Sequence, residues 1–348
     1  MEHDGALRGL KVLDMGRVLA APFCTSILAS MGADVIKLES PGRGDDARQS
    51  LPMIDSESSY FIQFNHSKRG ITLDLKKGKD VFLKLVSQVD VIVENFRPGV
   101  MAKLGLSYDE LKKVNPGLIY CAISGFGQSG PYSQQAGYDP VAQALSGVMS
   151  VTGWPDGAPS RCGASIGDIM AGENAAVGIL AALYHRNLTG EGQMVDIALV
   201  DSCVTAMASV NLSYLATGKV PQRQGNGYTA GAPGNSYKCK DGEAIFLALN
   251  QSLWERLCVA IGREDLIQVP EFKDNATRVQ NKAMLDAELT KWTSTKTVQE
   301  VVDTLLAAKL PAAPVLTVDQ VVANEHIGGV RNMFPQVDHP VIGKVRIT

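Results

Sequence analysis

Short apolar runs alternate with longer stretches of helical apolar spacing along the first half of the chain. Lys11–Asp14 (KVLD) reads as a strand. Ala20–Met31 carries apolar residues on a broad face, and Gly32 stands where a helix C-cap belongs. Asp34–Leu38 (DVIKL) is the next strand, which completes a βαβ unit. The pattern continues with a helix over Lys79–Ser87, a strand over Asp90–Glu94, a helix over Tyr108–Val114 and a strand over Leu118–Ile123. Asp168–Arg186, rich in Ala and Leu, predicts a long helix whose small residues suit close packing. Met194–Leu199 follows as a buried strand and Ser202–Thr217 as a helix. Strands separated by helices predict an α/β fold with a parallel sheet covered on both faces.

The pattern changes near Gly218. Residues 219–236 (KVPQRQGNGYTAGAPGNS) are glycine-rich, polar and poor in aliphatics, which suits a linker or a functional loop. Tyr237–Lys240 and Ala244–Leu249 flank Asp241-Gly242, a hairpin turn signal. Helices are predicted at Ser252–Ile261, Ala276–Trp292, Val298–Lys309 and Val318–Asn324, with a short strand at Ala313–Leu316 and the start of another in His339–Thr348. At ~150 residues per domain the 348 residues allow two domains. The expected division is a large domain over 1–218 and a smaller α+β domain, with its linker, over 219–325.

Composition narrows the function. Hydrophobic residues make up 45% and charged residues 20%, an ordinary globular mix. Thirty-three Lys and Arg against 36 Asp and Glu give a net charge of −3, so a nucleic-acid coat or a polybasic membrane binder is not expected. Any anionic ligand must be met by local cations. No uninterrupted run of about 18 apolar residues predicts a membrane span, and the charged start MEHDGALRGLKVLD has no signal core. The six cysteines are scattered without C-x-x-C spacing, which suits buried reduced thiols in a cytoplasmic protein rather than a metal or disulfide scaffold.

Several chemistries lack their motif. The first βα turn, DMGRVLAAP, has no G-x-G-x-x-G, and there is neither a Walker A sequence nor a G-x-S-x-G elbow; Ser124-Gly125 in AISGFG is no substitute. The five histidines lack paired zinc spacing. Asp168 draws the eye among the carboxylates because it follows Gly167 at the start of the long helix. It reads either as a helix N-cap or, facing a cleft, as a nucleophile that attacks an acyl carbon, with the helix terminus favouring its ionised form. Glu39, Asp74 and Glu94 fall near strand ends. Arg43, Lys68, Arg69, Lys76, Arg97 and Lys103 follow successive strands, where loops line the ligand crevice of an open parallel sheet. Together they suit a phosphate-rich ligand; singly, each suits the surface.

The segments GLKVLDMGRVLAAPF, GADVIKLESPGRGD, NHSKRGITLDLK, VIVENFRPGVMAKLGL, YCAISGFGQSGPY, GYDPVAQALSG and GDIMAGENAAVGILAALYHRNLTGEGQ resemble the class III CoA-transferase family. That family includes formyl-CoA and carnitine CoA-transferases and the 2-methylacyl-CoA racemases. The resemblance implies a Rossmann-like large domain, rejoined here by about 326–348, a smaller domain, and an interlocked homodimer. Family members run several tens of residues beyond the position of Thr348. Coenzyme A enters as substrate, with no permanently bound cofactor and no metal. Asp168 matches the catalytic aspartate. By motif position Val18 and Leu19 would face the pantetheine. Leu73 to Lys76 would flank the adenine, with Lys76 near phosphate, and Asn95, Phe96, Arg97 and Lys103 would continue along the nucleotide, with Arg43 nearby. Lys103 stands where some members have arginine, and Leu19 where some have glutamine. The stretch Gly225–Gly234, with Gly225, Gly227 and Gly231, resembles the mobile loop over the aspartate; as composition it is equally a linker.

The same scaffold carries two chemistries. In the racemases a histidine precedes the aspartate of a GHD segment and pairs with the counterpart of Asp168. Here the segment is Gly137-Tyr138-Asp139. A tyrosine, with its pKa near ~10, is a poor base at neutral pH, and His66 and His185 do not stand at the matching position. Transfer is therefore the expected reaction, with Asp139 orienting Tyr138 or binding substrate. Racemisation and a non-catalytic acyl-CoA-binding subunit are the alternatives.

Overall fold

A computed structural model describes residues 5–228 and 230–348. The chain divides into two compact units. The first runs to Ser150 and includes Ser160–Pro221 and Pro335–Thr348; the second comprises Val151–Pro159 and Gln222–Phe334. The second unit thus takes in a short segment well before residue 219 and continues past 325.

In the first unit β1 (Lys11–Asp14) leads through α1 (Ala20–Ser30) to β2 (Asp34–Glu39). A small hairpin of β3 (Met53–Ile54) and β4 (Glu57–Ser58) precedes α2 (Ser59–Asn65) and β5 (Arg69–Thr72). Next come α3 (Lys79–Val86), β6 (Val91–Glu94), α4 (Val100–Lys103), α5 (Tyr108–Val114) and β7 (Ile119–Ser124). After α6 (Asp139–Leu145) and α7 (Val148–Val151), the long α8 (Ile166–Thr189) leads to β8 (Met194–Ala198), α9 (Leu199–Ala206) and α10 (Ala208–Thr217). The six-stranded sheet has the order β5-β2-β1-β6-β7-β8. All its pairs are parallel, with Lys11 beside Asp34, Val12 beside Val91 and Tyr120 beside Met194.

Strand alternation sends side chains into two cores. Val12, Val91, Val93, Ile119, Cys121 and Ile123 pack with α1 and α8 on one face. Leu13, Ile92, Leu118, Tyr120 and Ala122 pack with Phe82, Leu106 and Leu111 on the other. Both faces are covered, as the pattern predicts. The helices α1 and α8 meet almost backbone to backbone: a Cβ at Gly172 would stand 2.8 Å from Ala20 O and 2.9 Å from Phe23 Cδ1. By length and composition α8 also reaches the size of a membrane span, although charges interrupt its apolar run; its buried small residues make it the central helix of this unit.

Three expectations need correction. The strand β5 was not anticipated, because an edge strand has one neighbour and most of RGIT is exposed, so its residues need not be apolar. The helix expected over Ser202–Thr217 begins at Leu199, directly from β8, and bends by 70° at Met207. The one expected over Ala276–Trp292 is broken at Asn281.

In the second unit β9 (Gly234–Lys238), β10 (Glu243–Leu247) and β11 (Ala312–Pro314) form an antiparallel sheet ordered β11-β10-β9. The helices α11 (Gln251–Ala260), α12 (Asn275–Gln280), α13 (Lys282–Thr293), α14 (Val298–Ala307) and α15 (Val318–Ala323) belong to the same unit. Trp254, Phe272, Tyr237 and Phe246 fill its core. Asn281 ends α12 by donating from Nδ2 to Thr277 O at 2.9 Å. The chain closes on the first unit with a hairpin of β12 (Gln336–His339) and β13 (Gly343–Arg346), where a single strand start was expected. Gln63 donates to Thr348 O at 2.8 Å, and Ile62 packs with Val345 and Ile347.

Candidate active site

The strand order places β2 on one side of β1 and β6 on the other. An open parallel sheet leaves a crevice where the strand order reverses, beyond the carboxyl ends of the strands. Here that crevice is walled by the turn after β1, Met15–Leu19, and the turn after β6, Asn95–Arg97. The two turns are tied across the gap: Arg17 N donates to Asn95 Oδ1 at 2.8 Å, and Asn95 Nδ2 donates to Arg17 O at 2.8 Å. Val18 is held at φ 65°, and Leu19, 5% exposed, precedes α1.

A cavity of about 440 Å³ opens there, lined by Val18, Leu19, Asn95, Phe96, Arg97, Tyr138 and Asp168 among others. A second cavity of about 540 Å³ adjoins it, sharing Arg17, Phe96 and Val100, and is lined by Arg43, Leu73, Asp74, Leu75 and Lys76. Of the residues the sequence singled out, Val18, Leu19, Arg43, Leu73, Lys76, Asn95, Phe96 and Arg97 therefore fall on one continuous cleft in the first unit. Arg97 and Lys76 are exposed and make no ion pair among the described residues, whereas Arg43 lies 3.0 Å from Asp46. Lys103, at the end of α4, lines neither cavity.

The loop carrying Tyr138 reaches the cleft through two glycines in backbone contact. A Cβ on Gly137 would stand 2.4 Å from Gly125 Cα, so neither position accepts a side chain without displacement. Tyr138 is exposed, while Asp139, next in sequence, is 4% exposed and opens α6. Asp139 does not orient Tyr138. Its Oδ1 accepts the Gly167 N–H and its Oδ2 a Gln143 Nε2–H, both at 2.8 Å, and Gln143 Oε1 accepts the Cys162 N–H at 2.8 Å. Asp139 and Gln143 thus fix the entry to α8, and Gly167 permits it: a Cβ there would meet Cys203 Sγ at 3.0 Å and Asp139 Oδ1 at 3.1 Å.

Asp168 is the third residue of α8, past the N-cap position, which Ser165 occupies. Asp168 lines the cavity and lies within the electrostatic field of the buried Asp139. Burial, then the Asp139 charge, push its pKa up to about 7. This corrects the expectation that the helix terminus favours the ionised form: Asp139 takes the Gly167 N–H, and desolvation outweighs the dipole. Tyr60 on α2 was not singled out by the sequence. Its phenol is held protonated first by burial and then by the charges of Asp168, Asp45 and Asp139. A lone tyrosine in SESSYFIQF carries no motif, so only the fold brings it into the field of Asp168.

Two candidate phosphate ligands are corrected. Lys68 is buried beneath the β1–α1 turn and donates to Asp14 Oδ2 at 2.8 Å, Pro22 O at 2.9 Å and Asn65 Oδ1 at 3.0 Å; burial lowers its pKa to about 8 despite Asp14. Arg69 is paired with Asp34 at the sheet edge, at 2.6 and 2.9 Å. Glu39 accepts two hydrogen bonds from Arg48 at 2.8 and 2.6 Å. Glu94 is buried, accepts the Phe96 N–H at 2.6 Å and is pushed up to about 7 by burial. Gly225, Gly227 and Gly231 belong to the second unit. Gly225, at φ +58°, packs on the Trp154 indole, Gly227 beside Lys282 and Gly231 against Leu249. Among the described residues no group of three His, Cys, Asp or Glu could hold a metal ion.

A family profile described as CoA-transferase family III matches residues 7–348. The chain belongs to CoA-transferase family III. The succinyl-CoA:mesaconate CoA-transferase of Haloarcula marismortui is 42% identical to it over 347 residues, covering 97% of this chain and 86% of that protein. The acetyl-CoA:oxalate CoA-transferase of Acetobacter aceti is 40% identical over 333 residues, covering 95% and 85%. A crystal structure of a CaiB/BaiF family protein from Brucella suis matches the fold with a TM-score of 0.87 at 37% identity, covering 97% of this chain and 90% of that one. This family III chain is therefore an enzyme, and its named relatives transfer CoA between different acids.

Proposed function

We propose that the protein moves CoA between an acyl-CoA thioester and a free short-chain carboxylic acid, with Asp168 as nucleophile. The observation that carries this reading is Asp168 lining a cleft at the sheet's switch point, continuous with a cavity bordered by Arg43 and Lys76. CoA carries a charge of roughly −3.5 to −4 from its phosphomonoester and diphosphate. The local cations, with Arg97, supply the complement that a net charge of −3 does not. The breadth of acids named for the two relatives supports the substrate class.

The Asp168 carboxylate attacks the donor thioester carbonyl, giving an acyl-aspartyl mixed anhydride and CoA thiolate. The thiolate attacks the aspartyl carbonyl, releasing the donor carboxylate and leaving an aspartyl-CoA thioester. The acceptor carboxylate attacks that thioester, forming a new anhydride and freeing thiolate, which attacks the acceptor's acyl carbon and regenerates Asp168. Acyl activation is conserved through every step, so water must be kept from the anhydrides. A carboxyl with a pKa near 7 is a stronger nucleophile than an ordinary carboxylate and is still substantially ionised at neutral pH.

Racemisation is disfavoured because an exposed tyrosine, Tyr138, stands where the second base would be, and among the described residues no histidine lines the cavity. An interlocked homodimer is part of the proposal; Val177, Tyr184 and Leu188, on one face of α8 and each at least 66% exposed, supply an apolar surface for a second copy. The deciding experiment incubates the enzyme with a panel of acyl-CoAs, traps with hydroxylamine or borohydride and maps the adduct by mass spectrometry. Modification at Asp168 is expected. Rapid α-deuteration of a 2-methylacyl-CoA in deuterated water, without exchange of CoA between acids, would overturn transfer in favour of racemisation.

A further inference from the structure

Val18 is β-branched, yet it sits in the left-handed backbone region at φ 65°, where such side chains are disfavoured. Strain of this kind persists only where the surroundings over-determine it. Two buried side chains outside the acyl chemistry do so here. Asp45 Oδ1 accepts the Val18 N–H at 3.0 Å and the Ala47 N–H at 2.9 Å. Asp45 Oδ2 lies 3.0 Å from Lys37 Nζ, as an ion pair rather than a directed hydrogen bond. Lys37 Nζ in turn donates to Gly16 O at 2.7 Å. Both residues are 2% exposed. One ion pair therefore grips the backbone on either side of Arg17, at the carbonyl before it and the amide after it.

We propose that the Lys37–Asp45 pair is a positioning device for CoA. It holds Val18 left-handed and so fixes the Val18–Leu19 wall of the cleft before ligand arrives. The inference rests on the CoA-transfer reading and deepens it: neither residue touches substrate, and both act through the Val18 backbone. Preorganisation of this kind appears as affinity, because a wall already in place need not be ordered on binding. It also predicts a specific coupling. Glycine adopts φ 65° at no steric cost, so with glycine at position 18 the brace becomes dispensable.

The test is a calorimetric titration of CoA into the full chain as wild type, Asp45→Ala, Val18→Gly and the double variant, at a temperature where circular dichroism shows all four folded. Asp45→Ala is expected to weaken CoA binding by about 10-fold, and the double variant to bind within about 3-fold of Val18→Gly alone. Because Asp45→Ala leaves Lys37 buried without its nearest carboxylate, Lys37→Met/Asp45→Ala serves as a second form that removes both charges, and the same recovery by Val18→Gly is expected in it. A merely structural pair would lower the melting temperature with no recovery of affinity. Equal loss of affinity whether valine or glycine occupies position 18, or no loss with either, overturns the brace. Wild type that fails to bind CoA overturns the transfer reading instead.

Discussion

At the residue scale the protein turns on Asp168 and the buried carboxylate beside it. Burial and Asp139 hold Asp168 near 7, and the nucleophilic form is the deprotonated one. The value of kcat/KM should therefore rise with pH and level off above about 7. Asp139→Asn removes the neighbouring charge but keeps an oxygen to accept the Gly167 N–H. The acid limb of a kcat/KM profile should then move to lower pH, and a limb that stays in place would show that Asp139 does not tune the nucleophile. The same shift carries a stability consequence. The folded pKa lies above the ordinary aspartate value of 3.8, so the folded state binds the proton more tightly than the unfolded one. Ionisation thus destabilises the fold progressively from about pH 4 to pH 7. Asp168→Asn should abolish turnover, keep CoA affinity within about 3-fold, and melt higher than wild type at pH 8, with the gain gone near pH 4. Thermal melts at the two pH values check the sign. Asp168 was legible in the sequence through the family resemblance and its place in the first turn of a small-residue helix; its pKa was not, because Asp139 reaches Gly167 from a separate helix.

At the element scale the cleft depends on turns that only small residues can make. Gly137 and Gly125 cross with no room for a Cβ. Gly137→Ala should cost about 1–3 kcal/mol by overpacking and move the Tyr138 loop, read by urea unfolding together with CoA titration. Gly70, whose added Cβ would meet nothing within 4 Å, is the control and should lose far less. The strands β1, β2, β6 and β7 were legible because buried parallel strands are continuous apolar runs. The edge strand β5 was not, since exposure leaves it mixed. The break at Met207 was not legible because nothing in ASVNLSYLAT interrupts helical spacing; the bend is a matter of packing.

At the scale of the whole molecule, the cleft is built within the first unit, and the apolar row Val177, Tyr184 and Leu188 stays exposed on α8. If a second copy covers that row, sedimentation velocity should show a dimer for wild type, and Leu188→Glu should shift the distribution toward monomer; a wild-type monomer at micromolar concentration would contradict the homodimer. The alternation of strand and helix determined the class of fold, and the family resemblance carried by ENFRPG and the segment around Gly167-Asp168 pointed to the side chain on which the chemistry is proposed to turn, because local spacing and motif order are written directly in the chain. Three things waited for the tertiary structure: Lys68 buried under Asp14 rather than facing phosphate, Tyr60 brought into the field of Asp168, and Asp45 holding a strained Val18. Each depends on groups apart in sequence that meet only in the folded chain, where the removal of water strengthens their ionic, dipolar and hydrogen-bonding interactions.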